Sequence, residues 1–120
     1  MDLKKTLEET VRSTRGGVAA FIMDKDGLVV EEYRSTDEPY LEDSFVEFLL
    51  AYRNIKGAAD NHGVGLVREM SLETERYRYL FRGINRDYTL ALATDRGGYH
   101  GESSWRVRQA ITLIEGDFVL

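Results

Sequence analysis

The run Val18-Ala-Ala-Phe-Ile-Met23 constrains the fold more than any other part of this chain. Six consecutive apolar residues do not suit a strand with one wet face, so this strand should be central and covered on both sides. Asp24-Lys-Asp-Gly27 then supplies a turn, and Leu28-Val-Val30 resumes the apolar run before Glu31. Two short strands around an Asp-Gly turn read as a hairpin. Upstream, Leu3, Leu7 and Val11 recur every fourth residue, with Thr10 and Thr14 on the flank. That spacing is one stripe of an amphipathic helix, and Gly16-Gly17 stops it.

After the hairpin, residues 34–38 are polar and lead into Pro39, which suits a helix's first turn. A second helix should run from there to about Asp60. Leu41, Phe45, Phe48, Leu49, Tyr52, Ile55 and Ala59 fall on one stripe, and Val46 and Leu50 lie beside it. The apolar arc spans roughly 200°, wider than the arc of about 100° or more that a surface helix needs. Such a helix has two surfaces to bury. One is the core; the other, with Val46, Leu50 and Arg53, is a candidate interface.

Three further strands follow. Residues 64–72 place Val64, Leu66, Met70 and Leu72 on one face, with Arg68 interrupting. Residues 76–82 alternate, with Tyr77, Tyr79 and Phe81 on one side and Arg76, Arg78 and Arg82 on the other. Residues 88–93 carry little polarity on either face. With turns at Thr74-Glu75 and Asn85-Arg86-Asp87, the three strands should form an antiparallel meander. A last helix keeps Val107, Ala110, Ile111 and Ile114 in helical spacing and ends near Gly116; residues 117–120 are not assigned to an element. The order α-β-β-α-β-β-β-α is that of an α+β sandwich with helices on both faces of the sheet. The two-faced apolarity of residues 18–23 and the half-polar pattern of 66–73 predict a sheet order of 2-1-5-4-3, with the third strand at an edge.

A length of 120 residues predicts one domain, spanning 1–120. There is no cysteine, so disulfides, thiolate zinc sites and thiol catalysis are excluded. The polar, amphipathic N-terminus lacks the apolar core of a signal peptide, and no stretch approaches a membrane span. A cytoplasmic protein is expected, without membrane insertion. The net charge of −5 argues against nucleic acid as the main partner.

No motif for catalytic or metal chemistry is complete. Asp24-Lys-Asp-Gly27 lacks the third oxygen residue of a calcium loop, and Tyr33 stands where the bidentate glutamate belongs. His62 and His100 have no partner at metal-ligand spacing. Ser103 and Ser104 are not in a nucleophile elbow and read as caps of the last helix. Gly97-Gly98 is no phosphate-binding fingerprint, and no Walker lysine occurs. No catalytic residue, cofactor or metal is expected. The arginine comb admits two readings: a solvated face neutralised by Glu69, Glu73 and Glu75, or a surface for an acidic partner. Val64, Leu66 and Val67 would leave an unpaired, proline-free edge, which pairing with a second copy across a two-fold axis would cover.

This order resembles the roadblock family, the domain of dynein light chains and of bacterial MglB-type regulators of Ras-like GTPases. The residues that carry the resemblance are the opening helix into Gly17-Val-Ala-Ala-Phe-Ile-Met-Asp-Lys-Asp-Gly27-Leu-Val-Val30, the three-strand meander, and Gly97-Gly98 before the closing helix. Gly98-Tyr-His-Gly-Glu102 departs from the family's small-residue approach to that helix, and the arginine comb is unusual for it. The resemblance implies a five-stranded sheet with two helices on one face and the middle helix on the other. It implies a homodimer joined through the middle helices and third strands (Val46, Leu50, Arg53, Val64, Leu66 and Val67). It also implies a regulatory or adaptor role toward a small GTPase, by repositioning that GTPase's own groups or by an arginine finger. Glu42, Asp43, Glu47, Arg76, Arg78 and Arg82 are the candidate partner-facing residues. A small-molecule sensor of similar fold is the alternative from another class.

Overall fold

The computed structural model describes residues 2–118. The chain forms α1 (Leu3–Ser13), β1 (Gly17–Asp24), β2 (Val29–Arg34), α2 (Leu41–Asn61), β3 (Glu69–Glu73), β4 (Arg78–Gly83), β5 (Tyr88–Thr94) and α3 (His100–Ile114). A 3-10 turn over Glu115–Phe118 follows. The strands form one antiparallel sheet in the order β2-β1-β5-β4-β3, as the apolar patterning predicts.

The sheet separates two layers of core. On one face, Leu7 and Val11 of α1 and Val107, Ala110, Ile111 and Ile114 of α3 pack on Ala20, Ile22, Leu80, Leu90 and Leu92. On the other, Leu41, Phe45, Leu49 and Tyr52 of α2 pack on Phe21, Met23, Tyr79 and Phe81. Ala19, Ala91 and Ala93 lie in that second layer, and their small side chains leave the volume the aromatic rings occupy. Phe45 sits at its centre, stacked on Phe21 at 4.4 Å and edge-on to Tyr79 at 5.2 Å.

Local sequence explains the element ends. Asp2 caps α1 by accepting a hydrogen bond from the Lys5 amide at 3.1 Å. The buried Thr10 and Thr14 hydroxyls donate to the carbonyls four residues back, at 2.8 and 2.7 Å, so neither is left unsatisfied against the sheet. Gly16, at φ 72°, then turns the chain into β1. In the hairpin, Asp24 Oδ1 accepts from the amides of Asp26 and Leu28 at 2.9 and 3.0 Å. Gly27 takes φ 90°, so this is an Asx-stabilised turn.

Several element boundaries differ from the pattern. β2 extends through Glu31 and Glu32 to Arg34, because ladder pairing to β1 continues where the apolar run ends. β3 begins only at Glu69. Gly63 and Gly65 adopt φ 65° and 97°, which breaks the extended run expected from Val64 onward. β4 begins at Arg78, leaving Arg76 in the turn. The last helix starts at His100 with Tyr99 at the cap position, so Ser103 and Ser104 lie inside its first turn and cap nothing. Gly98 is buried, and a Cβ there would meet Thr94 Oγ1 at 2.7 Å and the Arg15 carbonyl at 3.0 Å. Of the unassigned tail, Phe118 packs against Tyr88 at 4.7 Å, while Val119 and Leu120 lie outside the described residues.

Candidate functional site

Among the described residues, no group of three or more metal-ligating side chains comes together, and no helix is long and apolar enough to cross a membrane. The features that remain are surfaces. The first is the outer side of α2 with the start of β3. Leu50 is 41% exposed and Ile55 is 46% exposed, although Ile55 falls on the stripe expected to face the core. Val64 and Leu66 stand almost free, at 76% and 86% exposure, and only Val67 of that stretch packs against the aromatic layer. Val46 is half-buried, packed on the same layer, with its Cγ1 facing the backbone of Gly27. Leu50 and the exposed Arg53 lie on the outer side of the helix beside Val46, whereas Ile55, five residues from Leu50 and so about 140° round the helix, lies on the other flank of the core stripe. Tyr52, Lys56 and Asp60 of α2 and residues 66–68 line one cleft, so the end of the helix and the approach to β3 are neighbours. β3 is an edge strand with one side unpaired.

The arginine comb is neutralised. Arg82 Nη1 lies 3.1 Å from Glu69, Arg78 Nη2 3.4 Å from Glu73, and Arg76 Nη2 3.0 Å from Glu38. Glu69 and Glu73 are the expected partners, because cross-strand register places them opposite Arg82 and Arg78. Glu38 is not; it reaches Arg76 from the segment before α2. Glu69 also accepts the Ser104 hydroxyl at 3.0 and 3.1 Å, with His100 Nε2 4.0 Å away. No sequence spacing links Glu69 to α3. Of the acidic candidates on α2, Glu42 is held by Arg34 at 2.8 Å, while Asp43 and Glu47 are exposed.

Two tyrosines under α2 are tuned by burial. Burial pushes the Tyr52 phenol above the ordinary tyrosine value, partly offset by the nearby Gly83 backbone, which lies outside hydrogen-bonding geometry, and by Arg82. Burial also raises Tyr79, offset by its hydrogen bond with Ser44 at 2.8 Å. Because the folded values lie above the unfolded ones, the stability these groups confer is complete below the unfolded value of about 10. It is lost as pH rises through the raised folded values. Circular dichroism between about pH 9 and 12 should show this loss. Tyr52→Phe should make it shallower while changing stability at neutral pH by no more than about 1 kcal/mol, since the Tyr52 hydroxyl is buried without a hydrogen-bond partner.

No protein-family model and no curated protein matches the sequence. Solved structures do match the fold. A Roadblock/LC7 domain from Streptomyces avermitilis superposes with a TM-score of 0.86 at 17% identity, covering 98% of each chain. An MglB structure described with a tetrameric arrangement gives 0.83 at 20% identity over 95% of this chain and 85% of that one. MglC from Myxococcus xanthus gives 0.69 at 25% identity over 98% of this chain and 99% of that one. With three helices on a five-stranded antiparallel sheet in the order 2-1-5-4-3, the chain has the roadblock fold that the MglB and Roadblock/LC7 structures share.

Proposed function

We propose that residues 1–120 are a single non-catalytic roadblock-type module that forms a homodimer and regulates or scaffolds a Ras-like small GTPase in the cytoplasm. The observation that carries the dimer is the exposure of Leu50, Val64 and Leu66 along α2 and the approach to the unpaired edge of β3. Large apolar side chains beside an open strand edge are what a self-pairing surface presents. A two-fold axis there would set α2 against its copy and continue the sheet from β3 into the second β3. The tetrameric arrangement described for one MglB structure is in keeping with self-association. The GTPase follows from the likeness to MglB-type proteins. On this reading Asp43 and Glu47 on α2 face the partner, Glu42 holds Arg34, and the arginine comb serves the module's own surface through its ion pairs.

Leu50→Asp tests it. Leu50 retains less than half of its exposure to lose, so its burial contributes about 1 kcal/mol per copy, about 2 kcal/mol per dimer. That alone raises the dimer dissociation constant by about 30-fold, and facing aspartates at the axis raise it further. Sedimentation should show monomers, and circular dichroism an intact fold. A dimer of unchanged affinity rejects the assigned surface. Capture from native lysate with wild-type protein, with and without a GTP analogue, should retain a small GTPase that Leu50→Asp does not.

A further inference from the structure

The sheet has two edges, and the surface assigned to a second copy uses only that of β3. β2 ends the sheet on the opposite side, and among the described residues no strand pairs with its outer side. The Ser35 amide donates to the Val18 carbonyl at 2.8 Å. Backbone groups alternate in direction along an antiparallel strand. The amides and carbonyls of Tyr33 and Glu31 therefore face β1, and those of Glu32 and Arg34 face outward. The outward Glu32 amide is met by the carboxylate of its neighbour Glu31, at 3.1 Å. A side-chain oxygen thus takes the hydrogen bond that the carbonyl of an added strand would take.

Charge then selects what can pair there. Residues 24–47 hold nine acidic residues and two basic ones, whereas the rest of the chain holds twelve and fourteen. These residues form one flank of the molecule, because α2 runs beside β2. Glu42 reaches Arg34 at 2.8 Å at one end, and Val46 faces Gly27 of the hairpin turn at the other. Both cations of the segment are engaged, Lys25 with Asp87 at 3.7 Å and Arg34 with Glu32 and Glu42. Glu31 forms no ion pair among the described residues. A second β2 laid along this edge would set glutamates against glutamates, so the edge resists its own copy. A strand bearing lysine or arginine meets opposite charge instead. Leu28 and Val30, 67% and 44% exposed, add apolar contact at the hairpin end. We propose that the outer edge of β2 takes up, as a sixth strand, an extended basic segment of a partner protein, its backbone pairing with Glu32 and Arg34 and its cationic side chains meeting Glu31. The proposal does not rest on the GTPase reading, since it is the segment and not the rest of the partner that is recognised.

The test is a heteronuclear NMR titration of the full chain with a capped peptide of alternating lysine and valine, and in parallel with one of alternating glutamate and valine. The lysine peptide should give saturable shifts over residues 31–34 and slow the exchange of the Glu32 and Arg34 amides. The glutamate peptide should do neither. Glu31→Gln should weaken binding by about two- to fivefold, the scale of one exposed ion pair. Glu75→Gln makes the same charge change at the exposed β3–β4 turn and should leave binding unaltered. Glu32→Pro removes an outward amide at an edge position, where proline is tolerated, and should abolish binding that Glu32→Gln retains. Amide exchange on the wild-type chain decides the matter even if Glu32→Pro does not fold. Four outcomes overturn the proposal: no saturable shift; shifts without slowed exchange at Glu32 and Arg34; equal binding of the two peptides; or equal effects of Glu31→Gln and Glu75→Gln. The dimer reading stands or falls separately, on sedimentation of Leu50→Asp.

Discussion

Phe45→Ala should cost about 3–5 kcal/mol, the range for removing a fully buried aromatic ring. Phe45 is fully buried and meets Phe21, Tyr79 and Phe81 with ring centres 4.4, 5.2 and 6.2 Å away. The rings around it are themselves held by other packing in the same layer, so the void should close only in part. Set against a domain stability of about 5–15 kcal/mol, that loss is large enough to leave part of the population unfolded near 37 °C. Urea unfolding followed by tryptophan fluorescence, with Trp105 as the single reporter, measures it. A midpoint unchanged from wild type would mean that α2 is not the lid of this layer.

Gly17→Ala should be nearly as damaging, by a different mechanism. A Cβ on Gly17 would lie 2.1 Å from the Val11 carbonyl oxygen and 3.0 Å from its carbon. Both atoms belong to the backbone of the last turn of α1, so no flexible side-chain end can move aside. Either α1 lifts from the sheet or β1 shifts in register against β5, and forced overpacking of this kind costs about 1–3 kcal/mol, occasionally more. We expect about 3 kcal/mol or more, because rigid backbone rather than a rotamer must yield. Gly57→Ala is the matched control. A Cβ there meets nothing within 4 Å, and on an exposed helix the change should stabilise the protein by up to about 1 kcal/mol. Thermal melts of the two variants should thus move in opposite directions.

The order of the sheet was legible because burial on both faces leaves a simple alphabet. Residues 18–23 and 88–93 carry almost nothing polar, and they became two of its three inner strands. The long stripe of α2 was legible for the same reason, except at Ile55. Ile55 sits at the margin of the stripe, about 60° round the helix from Tyr52, and a marginal position stays half open to solvent although Ala59 beyond it is buried. Val64 and Leu66 mislead in the opposite sense. Their alternation is that of a strand, yet the glycines between and before them take positive φ, and composition alone does not tell a glycine that merely fits from one that turns the chain. The Glu69, Ser104 and His100 cluster was illegible, since it joins an edge strand to the first turn of a helix some thirty residues on, and only tertiary geometry brings them together.

The place of β5 has a consequence for the chain as it is made. It is the last strand to be synthesised, yet it lies in the middle, between β1 and β4. The hairpin of β1 and β2 and the pair β3–β4 are joined only through it. A ribosome that has delivered the first eighty residues has therefore delivered two half-sheets with nothing to dock them on. Their apolar strands, β1 above all, must wait with an open side until residues 88–94 emerge and insert. Pairings this distant in sequence close slowly, because loop entropy is lost before any contact rewards it. A protein of this order carries its period of greatest exposure to misassociation in the nascent state, and a holdase acting on the chain before Tyr88 leaves the tunnel would meet its most adhesive form.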